Sequence, residues 1–87
     1  MKTEEEIREL NEQLYRLTGF IGEFGTNEEF KSKDVTFACD VGDALSWVLG
    51  EISDEGFRSA GYLNMDNLEI IAESIERRTG YKLEDYQ

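Results

Sequence analysis

The chain contains no histidine and no proline, and Cys39 is its single cysteine. Without histidine it lacks the commonest general base and the commonest metal ligand, and nothing of that kind activates Cys39 as a nucleophile. One cysteine cannot form an intrachain disulfide or a structural zinc site, which normally takes four Cys or His ligands. Carboxylates remain for acid–base catalysis, but such an active site needs a cleft, and a domain of this size has few residues with which to form one. We therefore expect that the protein is not an enzyme and that it binds neither a cofactor nor a metal ion.

Basic residues are also scarce. Nine Lys and Arg stand against 20 Asp and Glu, which gives a net charge of −11 over 87 residues. The excess is spread along the chain, so the protein should be repelled by nucleic acid and by anionic membranes. We expect its partner to be a basic protein surface, and many such surfaces bind nucleic acid. An alternative stays open, in which the charge only keeps the protein soluble.

Long apolar runs are absent as well. The beginning, Met-Lys-Thr-Glu-Glu-Glu, lacks the apolar run of a signal peptide. No stretch approaches the roughly 20 apolar residues of a membrane span. The length suits one domain, residues 1–87, and the apolar and aromatic content is sufficient for a folded one. We expect a single acidic helical domain in the cytoplasm.

The first predicted helix covers residues 3–18, because Thr3 and Glu6 have the spacing of a capping box. Apolar residues then recur every three or four positions, which favours a helix with one apolar side. These are Ile7, Leu10, Leu14, Leu17, Ile21 and Phe24. Two ends are compatible with the pattern. Gly19 could end the helix in a left-handed conformation, or the helix could continue to Phe24.

The middle of the chain allows two interpretations. A wide apolar arc predicts a second helix over residues 40–52, with Asp40 at its beginning. Upstream, apolar residues alternate with smaller ones over 34–39, which is typical of a short strand. We favour an all-α fold of three helices. The alternative is α+β, with a two-stranded hairpin made by 34–39 and 57–63.

The third predicted helix covers residues 65–79. Asn64 is expected to cap its beginning and Gly80 its end. The sequence Thr-Gly-aromatic at 79–81 repeats the one at 18–20, so the same device could end the first helix.

An acidic stripe is the most specific feature of this helix. On a helix, Asp66, Glu69, Glu73 and Glu76 would lie on one side, with successive carboxylates about 4.5–6 Å apart along the axis. Such a row could imitate a phosphate backbone, although a solvated outer face would look the same. We also assign a smaller acidic row in the first helix and one aromatic residue to the candidate partner-binding set. They are Glu5, Glu9, Glu12 and Trp47.

The segment Asp43-Ala44-Leu45-Ser46-Trp47-Val48-Leu49-Gly50-Glu51 resembles a stretch found in small helical proteins of phages and mobile elements. The general profile is similar to the small acidic inhibitors that phages direct at host defences, anti-CRISPR proteins and DNA mimics among them. This resemblance implies a phage-encoded inhibitor that covers a basic, nucleic-acid-binding surface of a host protein, without binding nucleic acid or membrane itself. The alternative function is a structural or adaptor module that forms a homodimer through the apolar side of the first helix.

Overall fold

The computed structural model describes residues 1–86 and shows an all-α fold. These residues form five α-helices and a 3-10 turn, without a strand. The elements are α1 (Glu4–Phe24), α2 (Asn27–Phe30), α3 (Lys33–Val48), α4 (Asp54–Phe57), α5 (Met65–Thr79) and the 3-10 turn Leu83–Asp85. The predicted fold class is therefore confirmed, with α1, α3 and α5 as the three long helices. The hairpin alternative is wrong, because residues 34–39 lie inside α3 and residues 57–63 contain no strand.

The chain divides into two compact units. The first, Met1–Ser53, contains α1, α2 and α3, and the second, Asp54–Gln87, contains α4, α5 and the 3-10 turn. The single domain expected over residues 1–87 stays a prediction.

Helix α1 begins as predicted and continues to the later of its two possible ends. The Thr3 hydroxyl accepts from the Glu6 amide at 3.2 Å, and the Glu6 carboxylate accepts from the Thr3 amide at 3.3 Å. The helix then passes through Gly19 and ends at Phe24. A left-handed end at Gly19 is thus wrong. The cost of glycine in a helix is only about 1 kcal/mol, and contacts of the second half of α1 with its neighbouring helices offset it.

Helix α3 begins further upstream than the predicted helix 40–52, and it ends sooner. Ser32 caps it by accepting from the Val35 amide at 3.3 Å. Asp40 is therefore a residue within the helix rather than its beginning. The prediction failed because 34–39 alternates like a strand although its apolar residues also fit a helix. Val35 packs in the interior as a helical residue, with 8 % of its surface exposed.

Helices α1 and α3 form an antiparallel pair. Near the start of α1, Arg8 Nη1 lies 3.7 Å from Glu51 Oε2, just beyond the end of α3. Further along, the Asn11 side-chain amide donates to the Ser46 hydroxyl at 3.4 Å. Gly42 lies at this contact, where a Cβ would be in ordinary van der Waals contact with Asn11 Oδ1, at 3.7 Å. The two helices meet through small and polar residues as much as through large apolar ones.

The short α2 connects α1 to α3 in the sequence and contacts both helices. Thr26 and Glu29 form the second capping box, with bonds of 3.1 Å and 2.9 Å. Phe30 at its end covers Gly22, where a Cβ would come 3.0 Å from the ring. This contact explains why a glycine inside α1 is accommodated in place of a larger residue.

The second unit follows the sequence prediction closely. Helix α5 spans Met65–Thr79, the range predicted from the sequence. The Asn64 side chain accepts from the Asn67 amide at 3.1 Å, and Gly80 is left-handed, with φ of 81°. The Thr-Gly-aromatic device therefore ends α5 although it does not end α1.

Candidate partner-binding surfaces

The acidic stripe lies on α5, where the structure places three of its four carboxylates in solvent. Asp66, Glu69 and Glu73 are exposed. None of the three side chains makes an ion pair or a hydrogen bond with another described residue. Like charges at helical spacing destabilise a helix by a few tenths of a kcal/mol per pair, and no ion pair within the described residues offsets this repulsion. A row of cations on a partner would relieve it.

Glu76 has a different role from the other three. Its Oε2 accepts from the Leu83 amide at 2.8 Å, and the residue is half-buried. It fixes the segment after α5 against the end of the helix. The sequence pattern placed Glu76 on the stripe correctly, but its contact is structural. We therefore separate it from the carboxylates that are free to meet a partner.

Sequence reasoning missed two charged residues beside the stripe. A shallow groove between α5 and the 3-10 turn is lined by Glu69 and Glu73 on one side and by Lys82 and Glu84 on the other. The bond from the Leu83 amide to Glu76 brings this segment back to the helix. No local spacing signals such a return, because it depends on the left-handed Gly80. The groove therefore places one cation, Lys82, and one further carboxylate, Glu84, beside the stripe.

The smaller acidic row on α1 is exposed too. Glu5, Glu9 and Glu12 are all open to solvent, although Glu12 also borders the groove between α1 and α3 together with Asn11. The carboxylates that do form ion pairs belong to neighbouring residues. Glu4 binds Arg8 at 3.1 Å and Glu6 binds Lys2 at 3.3 Å. The α1 row belongs to the first unit and the α5 stripe to the second, so each is a separate candidate surface.

Trp47 lies near the end of α3 and is 38 % exposed. It takes part in a contact within the described chain. An indole with this exposure fits the edge of a packed region as well as a partner-binding surface. Its place in the partner-binding set stays a prediction.

A groove between α1 and α3 contains the lone cysteine. Its lining includes Tyr15, Cys39 and Asp43. Burial raises the pKa of Asp43 above its usual value, and the neighbouring Asp40 raises it further. Conversely, the pKa of Glu6 lies below its usual value, because its carboxylate accepts from the Thr3 amide and binds Lys2. No nucleophile with an activating base lies in the groove, so its chemistry reduces to one carboxyl that ionises less readily.

Other kinds of site find little support in the described residues. No cluster of three or more His, Cys, Asp or Glu side chains within residues 1–86 has the geometry to hold a metal ion. In the same part of the chain, no helix has the length and apolarity that crossing a membrane requires.

An open apolar face on the first unit was only partly foreseen. The sequence put all six apolar positions of α1 on one side. The structure instead half-buries Ile7, Leu14 and Ile21 and leaves the others exposed. We use the name open apolar face for six exposed side chains of α1 and α3. They are Leu10, Leu17, Phe20, Phe24, Phe37 and Val48.

Comparison with known proteins adds no relative. No protein-family model, no curated protein and no solved structure matches this chain.

Proposed function

We propose that this protein is an acidic binding protein that occupies a basic, nucleic-acid-binding surface of another protein. The observation that carries the proposal is the row of exposed, unpaired carboxylates formed by Asp66, Glu69 and Glu73 on α5. A rigid helix presents them at a regular rise of about 4.5–6 Å, which suits a groove built to follow a phosphate backbone.

The charge of the whole chain supports the same proposal. At −11 it would steer the protein towards a basic surface and speed the encounter at low salt. A phage-encoded inhibitor of a host defence, such as an anti-CRISPR protein or another DNA mimic, would work in this way. On this proposal the protein is not an enzyme, and it competes with nucleic acid rather than binding it.

The test compares two triple variants of equal charge. In the first, Asp66→Asn, Glu69→Gln and Glu73→Gln remove the exposed part of the stripe while Glu76 keeps its contact with the Leu83 amide. In the control, Glu23→Gln, Glu28→Gln and Asp40→Asn remove three exposed carboxylates from the first unit. Glu84 is unsuitable for the control, because it borders the stripe.

Each protein is immobilised and exposed to a cell lysate, and bound proteins are eluted with a short DNA duplex. We expect the wild type and the control to retain basic nucleic-acid-binding proteins that the duplex releases. The stripe variant should retain at least about tenfold less, since each close charge pair at such an interface contributes on the order of 1 kcal/mol or more. Equal losses in the two variants would show that only bulk charge matters. Retention that the duplex does not compete away would contradict the proposal.

A further inference from the structure

The open apolar face runs along one side of the α1–α3 pair. On α1, Leu10, Leu17 and Phe24 follow each other at heptad spacing. On α3, Phe37 and Val48 lie on a similar line. Around each helix axis, the apolar line is rotated in the same direction away from the residues that face the other helix. Because the two helices are antiparallel, this rotation places both lines on the same side of the α1–α3 pair.

Contacts across the pair agree with this placement. Leu10 and Gln13 of α1 line one shallow groove together with Leu45 of α3. Phe20 and Phe24 extend the surface towards the other end, with ring centres 5.2 Å apart. Leu10 therefore lies beside α3, and Phe20 and Phe24 continue the apolar line of α1 to the end of that helix.

The first unit has a very small core, and the side chains of its open apolar face remain exposed. Val35 is the one buried apolar residue in the described chain. Phe20, Phe24 and Phe37 remain 65 %, 70 % and 58 % exposed. Small folds with so little burial usually depend on disulfides, metals or association. Because the chain has a single cysteine and no metal-binding cluster within residues 1–86, association is the remaining means.

We propose that a second copy of this chain covers the open apolar face and that the protein is a homodimer through it. Covering the six side chains would remove roughly 600 Å² from each copy, and so roughly 1,200 Å² from a symmetric pair. That area alone reaches the size of a specific, stable protein interface, about 1,200–2,000 Å².

The geometry suits a two-fold arrangement. Each copy contributes two antiparallel helices with apolar residues at intervals of three and four, which is the pattern of helices that pack in four-helix bundles. The same face would be used by both copies, as in most symmetric dimers. The opposite side of the pair would keep Tyr15 and the groove that contains Cys39 in solvent.

Self-association has a salt dependence that separates it from the proposed function. Each copy carries −11, so the two copies repel each other and salt should strengthen the dimer by screening. Binding to a basic surface should instead weaken as salt rises. The dimer does not rest on the proposed function, and either could fail without the other.

The experiment measures the mass of the full chain by sedimentation equilibrium at 0.15 M and 1 M salt, over micromolar to millimolar concentrations. We expect about 20 kDa, twice the chain mass of 10.0 kDa, with tighter association at the higher salt. A double variant, Leu17→Gln with Phe20→Gln, removes two side chains of the face without adding charge. The control is Tyr15→Gln, which removes an aromatic residue of α1 that is more exposed than Phe20 and lies outside the face.

The double variant should dissociate at least about 100-fold more readily than the wild type, and the control should not change. If the double variant unfolds, the mass of the wild type at the two salt concentrations decides the proposal. A folded wild-type monomer of 10.0 kDa at every concentration and salt would overturn the proposal. A double variant that remains dimeric would exclude this face as the interface.

Discussion

The two units of the chain obtain their helices in different ways. In Asp54–Gln87, α5 has a side-chain cap at its beginning and a left-handed glycine at its end. In Met1–Ser53, α1 continues through two glycines because α2 and α3 pack against it. The same Thr-Gly-aromatic sequence therefore ends a helix in one unit and is helical in the other. Packing decides the outcome, since a glycine inside a helix costs only about 1 kcal/mol relative to alanine.

The largest effect should come from separating α1 and α3. A Cβ on Gly42 would be in ordinary van der Waals contact with Asn11 Oδ1, at 3.7 Å, so the three further carbons of a leucine would have to push against α1. We expect Gly42→Leu to lower the free energy of unfolding by about 1–3 kcal/mol, the usual cost of overpacking. Urea unfolding followed by circular dichroism, at one fixed protein concentration, measures it.

The control for this change is Gly19→Leu, another glycine-to-leucine exchange inside a helix. Nothing lies within 4 Å of a Cβ on Gly19, so the larger side chain should be accommodated. Equal destabilisation by the two exchanges would contradict the close approach of α1 and α3 at Gly42.

A smaller pair of effects, opposite in sign, tests the comparison of the two Thr-Gly-aromatic sequences. Gly19→Ala should raise stability by about 0.5–1 kcal/mol, because Gly19 lies in a helix with free space around it. Gly80→Ala should lower it by about 1 kcal/mol or more, because φ of 81° strains any residue with a Cβ. Thermal unfolding of the two variants at equal concentration gives the signs. Stabilisation by both would mean that Gly80 is not left-handed.

Local signals decided how much of the fold could be predicted. Both capping boxes, Asn64 and Gly80 are visible in the sequence because each acts within four residues. The beginning of α3 was missed because its cap, Ser32, precedes a segment whose alternation also fits a strand.

The candidate surfaces divide in the same way. The acidic stripe follows from helical spacing alone, so its placement on one helix could be predicted. The part of Glu76 in holding the chain at Leu83 could not, because it depends on the turn at Gly80. The open apolar face could not be predicted because the apolar side chains of α1 point in two directions. Ile7 and Leu14 turn towards α3, while Leu17 does not, and only the position of α3 separates them.

Thermal unfolding of the wild type over a 100-fold range of protein concentration tests the central claim most directly, that the open apolar face is covered by a second copy. When folding and dimer formation are coupled, the dimer is favoured by mass action and the midpoint temperature rises with concentration. We predict a rise of several degrees, larger at 1 M than at 0.15 M salt because salt screens the repulsion between the two acidic copies. Curves that coincide at all concentrations, with a folded chain at the lowest, would contradict the claim.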